Sequence, residues 1–233
     1  VSASASIVAV ISDKDVTVDG ASFGGILGVG DISASGNVTI SAGTFGQFSA
    51  NVIETGGGAG SITIDSSNSA STGDLQLTTL SADGGNITLS LGGGSGAVSA
   101  GSMVANGAIT VDGSLHKGSV AFGSVSASGN IVVSLGGDQG ALSAGNIFAA
   151  GGSVTLDGSN TTSAQMGVLA ISAVGVTVSL GTGSGAISAT TIDSGGGVTV
   201  DGGNYAGSVD LDNISASGAV VVSLGGNGDF SGS

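Results

Sequence analysis

The sequence lacks cysteine, proline, tryptophan and arginine, and aromatic residues make up only 3% of its 233 residues. Without cysteine, neither a disulfide nor a thiolate metal site can form. Proline cannot donate to a β-ladder, so its absence fits a chain in which nearly every backbone N–H is paired. Charged residues make up 8%, against about 25% in ordinary soluble domains. This composition is not that of a typical globular enzyme domain.

Basic residues are almost missing as well. Two lysines, Lys14 and Lys117, face 16 acidic residues, which gives a net charge of −14. Nucleic-acid phosphates require a basic surface, so we predict no nucleic-acid partner and no binding to anionic membranes. There is no long apolar run, and we predict no membrane span. A chain this free of thiols suits export, and we expect an extracellular or cell-surface location.

What the chain has in abundance is glycine, at 48 residues, together with 40% hydrophobic residues that are mostly small or β-branched. Disordered chains combine low hydrophobicity with many proline, glutamate and lysine residues, which this sequence does not. The apolar residues are also regularly spaced. The composition therefore indicates an ordered β structure built from small residues.

Internal repetition is the strongest signal in the sequence. Segments such as Val16-Thr17-Val18-Asp19 recur about every 45 residues, and a serine-bearing counterpart lies between each pair. In one register, the anchor positions are Asp19, Ser41, Asp65, Ser90, Asp112, Ser134, Asp157, Ser179, Asp201 and Ser223. Their spacing of 22 to 25 residues gives a unit of roughly 22 residues, and two units form the 45-residue super-repeat.

Each unit reads as short strands separated by glycine-rich corners. Ile87, Leu89 and Leu91 alternate with Thr88 and Ser90, which is the period of a β-strand. One such unit cannot bury its apolar face alone, whereas stacked units can.

We therefore predict an all-β fold, a parallel β-solenoid (β-helix) of about ten coils of roughly 22 residues, formed by residues 1–233 as a single domain. Either handedness is open. The solenoid would be a rod about 45–50 Å long. Small residues are expected inside its thin core, namely Ala100, Ala105, Ala144 and Ala189. An antiparallel glycine-rich sandwich is the alternative.

Stacking converts the anchor position into an exterior column in which aspartate and serine alternate. One interpretation is that serine keeps the carboxylates about 9.6 Å apart and so reduces their repulsion. The other is a row of weak cation sites, with calcium as the candidate ion, at Asp19, Asp65, Asp112, Asp157 and Asp201. Calcium takes six to eight oxygen ligands, so each site would also need main-chain carbonyls or a neighbouring molecule.

A second column, two residues before the anchor, is mostly threonine. It resembles the threonine array of ice-binding β-solenoids, but it has one threonine per strand instead of a pair. The corners at residues 92–96, 136–140 and 225–230 resemble the calcium loops of RTX repeats, although acidic residues are mostly missing from them.

Catalysis is not expected. His116 is the only histidine, and its place in a corner predicts a solvated turn residue. Glu54 is the only glutamate, and the aspartates are dispersed at regular intervals, whereas enzymatic solenoids need clustered acids. The glycine-rich stretches are corners and not phosphate-binding loops.

The run Ile214-Ser215-Ala216-Ser217-Gly218 through Gly226, echoed from Val125 to Gly137, resembles the β-strand repeats of large secreted bacterial proteins. These include S-layer proteins, RTX-associated surface proteins and filamentous-haemagglutinin-like adhesins. The resemblance implies a structural repeat of an extracellular surface layer, sheath or filament, or alternatively the stalk of an adhesin. Ice binding is a third hypothesis.

The sequence begins and stops within a unit, in complementary phase. We therefore expect either a segment of a longer array or a subunit whose copies stack end to end. The expected partners are further copies, associating end to end or laterally, and cell-surface polysaccharide.

Overall fold

A computed structural model describes residues 4–43, 47–67, 73–137, 141–162, 165–225 and 228–232. Nineteen β-strands and no helix occur in these ranges. The strands are β1 Ser4–Ser12, β2 Val16–Gly20, β3 Ile26–Ala34, β4 Val38–Ala42, β5 Gln47–Thr55, β6 Ile62–Ser66, β7 Asp74–Ala82, β8 Ile87–Leu91, β9 Val98–Ala105, β10 Ile109–Gly113, β11 Ser119–Ala127, β12 Ile131–Gly137, β13 Ala141–Thr161, β14 Gln165–Leu180, β15 Ala186–Ser194, β16 Val198–Gly202, β17 Ser208–Ala216, β18 Val220–Leu224 and β19 Asp229–Gly232.

Every pairing between these strands is parallel, and most join a strand to the second one after it. Long strands therefore stack on long strands, and short strands on short strands. In β13 and β14 a long and a short segment run together as one strand, and these two neighbours pair along both segments. The result is a β-solenoid of about ten turns with equivalent residues about 22 apart. The predicted fold is confirmed, and the antiparallel alternative was wrong.

The long strand of each coil is divided by a shift in its burial pattern. In β11, Val120 and Phe122 point inward, the next two residues are exposed, and Val125 and Ala127 point inward again. A one-residue shift of this kind turns the strand onto a second face. At the turning point, a Cβ on Gly123 would lie 2.3 Å from the carbonyl oxygen of Gly101 in the preceding coil, so this coil requires glycine there.

The core lies inside the coil and consists mostly of valine, isoleucine, leucine and alanine side chains. The alanines predicted to lie there are all buried, as are Ile87, Leu89 and Leu91. The core runs from coil to coil without interruption across the described residues. The extra residues of the longer repeats lie in corners, as at residues 56–61, where Gly57 and Gly58 have φ angles of 83° and 98°. These left-handed conformations favour glycine.

The corner between the long and the short strand is here called the polar corner. Side-chain oxygens at this corner accept backbone N–H groups from the next coil. Asn37 Oδ1 accepts the N–H of Ser61 at 3.0 Å, Ser61 Oγ that of Asn86 at 3.1 Å, and Asn86 Oδ1 that of Ala108 at 2.7 Å. Asp15 and Asn130 make the same contact. These bonds continue the ladder where the strand backbone turns away from its neighbours.

Candidate functional site

The short strands form the face that carries the predicted cation sites. Their inward residues belong to the core, and their outward residues form a threonine column and the anchor column. The stacking register pairs Asp19 with Ser41, Asp65 with Ser90, and Asp112 with both Ser90 and Ser134. The same alternation continues through Asp157, Ser179, Asp201 and Ser223. The structure therefore brings the five aspartates into one column, separated by serines.

Each anchor aspartate makes the same local hydrogen bond. Its Oδ1 accepts the backbone N–H of the second residue after it, at distances between 2.9 and 3.4 Å. The acceptor–donor pairs are Asp19–Ala21, Asp65–Ser67, Asp112–Ser114, Asp157–Ser159 and Asp201–Gly203. This is an Asx-turn, a conformation that aspartate stabilises at the start of a tight turn. The carboxylates thus have a structural role that does not depend on a cation.

Asp65 shows the electrostatic consequence of this turn. Hydrogen bonds from the Ser67 hydroxyl, and next from its backbone N–H, lower the pKa of the Asp65 carboxyl, and burial opposes them only in part. A carboxylate that accepts hydrogen bonds is held in its charged form.

The turn that starts at the aspartate ends with a side chain folded under it. The corner between the short strand and the next long strand is here called the packed corner. The fourth residue after the anchor points into this corner, and we call these side chains the plug residues: Phe23, His116, Thr161 and Tyr205. The N–H groups of Phe23, His116 and Tyr205 bond the carbonyls of Gly20, Gly113 and Gly202. The residue equivalent to them after Asp65 lies outside the described residues.

Coils are here called aspartate coils or serine coils according to the residue at the anchor position. Serine coils fill the packed corner in another way. The residue after the anchor is glycine in four aspartate coils, whereas it is leucine in four serine coils, namely Leu91, Leu135, Leu180 and Leu224. A Cβ on Gly202 would lie 3.0 Å from the Tyr205 Cβ and 3.2 Å from the nearest methyls of Leu180 and Leu224. Plug residue and leucine thus share the space under adjacent corners. This packing accounts for the 45-residue super-repeat.

The plug residues were missed by the sequence analysis because they share no residue type. The available signal was an Asp-Gly pair with a bulky side chain three residues after the glycine, in alternation with a Ser-Leu pair. His116 was interpreted wrongly as solvated. It does lie in a corner, but only 6% of it is exposed, because the turn folds the imidazole inward beneath it.

The cation interpretation stays a prediction. Among the described residues, no three histidine or acidic side chains lie together in a way that could hold a metal ion. The column does border a polar groove of about 420 Å³ between two packed corners, lined by Asp157, Ser179, Thr182, Asp201 and Asn204. Carboxylate, hydroxyl and amide groups can bind a hydrated cation or a polyhydroxylated ligand. The RTX-like corners at 136–140 and 225–230 lie partly outside the described residues.

The threonine column is half-buried along most of its length, from Thr39 to Thr177. In most coils one threonine faces outward beside the anchor column, as the sequence indicated, and Val132 and Val221 hold this position in two coils. In addition, the described residues contain no helix long and apolar enough to cross a membrane.

No protein-family model, curated protein or solved structure matches this chain.

Proposed function

We propose that this chain is a structural component of an extracellular surface layer, sheath or filament, and that it assembles by adding coils at the open edges of its solenoid. The observation that carries the proposal is the parallel pairing of about ten coils over one continuous core. Such a stack is a stiff rod whose length grows with the number of coils. The second candidate is the stalk of a large adhesin, which uses the same rod as a spacer.

The direction of the backbone N–H groups supports coil addition. The N–H groups of Val176 and Val198, each first in its short segment, bond the carbonyls of Gly197 and Ala219 in the following coil, at 3.1 and 2.9 Å. By equivalence, the N–H of Val220 in β18 points away from β16 toward the position of a further coil. An edge of this kind is a template for strand pairing, whether the next strand comes from the same chain or from another.

Lateral association is part of the proposal. In the middle coils, the long-strand face carries the exposed apolar side chains Val104, Phe148 and Leu169. Acidic residues of this face lie nearer the two ends of the rod, namely Asp31, Glu54, Asp193 and Asp212. Copies that each carry a net charge of −14 repel one another, and they approach most easily where charge is sparse. Higher ionic strength should therefore promote side-by-side bundling.

The test is negative-stain electron microscopy of the purified chain, first with calcium and then with chelator. Fibres of uniform width are expected, and their loss in chelator would assign the aspartate column to a cation. Val220→Pro removes the outward N–H at a strand edge, where proline is tolerated, and is expected to abolish the fibres. Val220→Ile keeps that N–H and is the matched control. Single rods about 45–50 Å long in every condition would contradict assembly and favour the stalk.

A further inference from the structure

His116 occupies a position that is filled by side chains of quite different chemistry in the other aspartate coils. Phe23, Thr161 and Tyr205 hold the equivalent place, and none of these side chains changes charge between pH 5 and 8. Histidine does. The backbone around it is fixed by two bonds of 2.9 Å, from the His116 N–H to the Gly113 carbonyl and from the Lys117 N–H to the Gly94 carbonyl.

The imidazole borders a small cavity that extends from this packed corner under the preceding coils. The cavity has a volume of about 40 Å³, and its walls include Ser66, Asp74, Leu91, Gly92 and the imidazole itself. A space of this size can hold water, which needs about 10–15 Å³ per molecule and polar partners around it. The Nε2 atom is buried and has no hydrogen-bond partner among the described residues. A proton can therefore reach the ring through water.

The Nε2 edge of the ring has little space around it. A Cβ on Gly118 would lie 2.8 Å from Nε2 and 2.1 Å from the Gly96 carbonyl oxygen, so the chain closes tightly over the imidazole. The imidazolium ion donates from both nitrogens, and burial removes it from bulk water at a cost that the main-chain groups of Gly92 and Gly96 offset only in part. The way to relieve this cost is for the ring to leave the corner.

The charged groups near the corner include two carboxylates and one ammonium group. The Asp74 carboxylate lies on the cavity wall, the Asp112 carboxylate accepts the Ser114 N–H in the same turn, and Lys117 follows His116. A nearby carboxylate favours the charged ring, and a nearby ammonium opposes it. Burial nevertheless lowers the pKa of His116, and main-chain groups of Gly92 and Gly96 offset only part of that effect.

We propose that His116 makes this packed corner a proton-sensitive joint of the solenoid, closed around a neutral imidazole near neutral pH and opened by protonation in mildly acidic solution. The direction of the pH effect follows from the linkage between proton binding and folding. The folded state binds the proton less readily than the unfolded chain, whose histidine pKa is about 6.5. The stabilisation is therefore complete above pH about 6.5 and is lost as the pH falls below this value toward the folded-state pKa.

The presence of one histidine makes the test direct. An NMR titration of its ring protons in the whole chain gives the pKa without assignment ambiguity, and we expect a value below 6.5. Hydrogen exchange of the Lys117 amide should accelerate on acidification, after correction for intrinsic rates. After this correction, the exchange rate of the Lys117 amide should rise by up to about tenfold for each unit by which the pKa of His116 in the folded state lies below its pKa in the unfolded chain.

His116→Phe is the matched control because Phe23 fills the same position in another coil. This variant should keep the corner closed, and its corrected exchange at Lys117 should not change between pH 7 and 5. Asp74→Asn should lower the His116 pKa further while leaving an acceptor for the Ala97 N–H, which Asp74 Oδ1 binds at 2.9 Å.

Two results would overturn the proposal. One is a titration of His116 at or above pH 6.5, and the other is the same pH dependence of exchange in His116→Phe as in the original chain. His116→Tyr, based on Tyr205, is the second variant to use if the phenylalanine chain does not fold. The wild-type titration decides the question if neither variant folds.

Discussion

The two corners that flank each short strand are stabilised by different forces. At the polar corner, exposed side chains such as Asn37 and Asn86 accept N–H groups of the next coil. At the packed corner, buried side chains such as Tyr205 and Leu135 fill the space beneath the turn. One corner is joined by directional hydrogen bonds between coils, and the other by apolar volume.

This difference determines what each corner demands of the sequence. A hydrogen-bond acceptor must be an oxygen in a fixed place, so the polar corner uses asparagine, aspartate and serine. A buried space can be filled in several ways, so the packed corner uses phenylalanine, histidine, threonine, tyrosine or leucine. A net hydrogen bond contributes about 1 kcal/mol, whereas truncating a buried aromatic side chain costs about 3–5 kcal/mol.

The largest effect is expected from Tyr205→Ala. The tyrosine is fully buried, and its removal leaves a cavity that the glycine at position 202 cannot fill. We expect a loss of about 3–5 kcal/mol in the free energy of unfolding of the coils around it. Site-resolved hydrogen exchange should measure this, because stacked coils need not unfold together. Asn204→Ala, at the exposed neighbouring position, should be close to neutral. Equal losses in the two variants would show that buried volume is not what stabilises the packed corner.

Asn86→Ala is expected to have an intermediate effect. It removes the acceptor of the Ala108 N–H at the polar corner, and water can partly replace it. The expected cost is about 1 kcal/mol, seen as faster exchange of the Ala108 amide. Asn86→Ser is the control because Ser61 accepts a backbone N–H from the equivalent position, and it should restore most of the loss. A cost as large as that of Tyr205→Ala would show that the polar corner contributes more than a surface bond.

The smallest effect is expected from changes to the anchor column. Asp112→Ala removes the Asx-turn bond to the Ser114 N–H and should cost about 0.5–1 kcal/mol. Asp112→Ser should be nearly silent for folding, because serine forms the same turn more weakly. Thermal melting at pH 7 with and without calcium measures both variants. If calcium raises the melting temperature of the original chain and raises that of Asp112→Ser by less, the Asp112 carboxylate is part of a cation site.

Periodicity was sufficient to predict the coil. The spacing of the anchor positions, the alternation from Ile87 to Leu91 and the small residues at Ala100 and Ala144 all anticipated the observed stacking. These features are local or strictly repeated, so they can be read from one chain. The bend within the long strand was harder to predict, because a one-residue shift in burial leaves only a pair of small or polar residues in the sequence.

The roles of single residues at the corners were not accessible in the same way. The alternation of aspartate and serine was visible in the sequence. Its cause lies four residues further on, in the plug residues, which fill a similar space but differ in residue type. His116 shows the problem most clearly. The glycines and serines around it indicate an exposed turn, and only the path of the backbone reveals that the ring is folded inside.

The sharing of space between a plug residue and the leucines of adjacent coils also limits how the rod can change in length. Removing one coil would bring two leucines, or two plug residues, into the same space under adjacent packed corners. Two leucines would overfill this space, and two plug residues would change its shape. Removing two neighbouring coils restores the match. Insertion, deletion and duplication should therefore be tolerated in steps of about 9.6 Å, so that rods of this kind differ from one another by even numbers of coils.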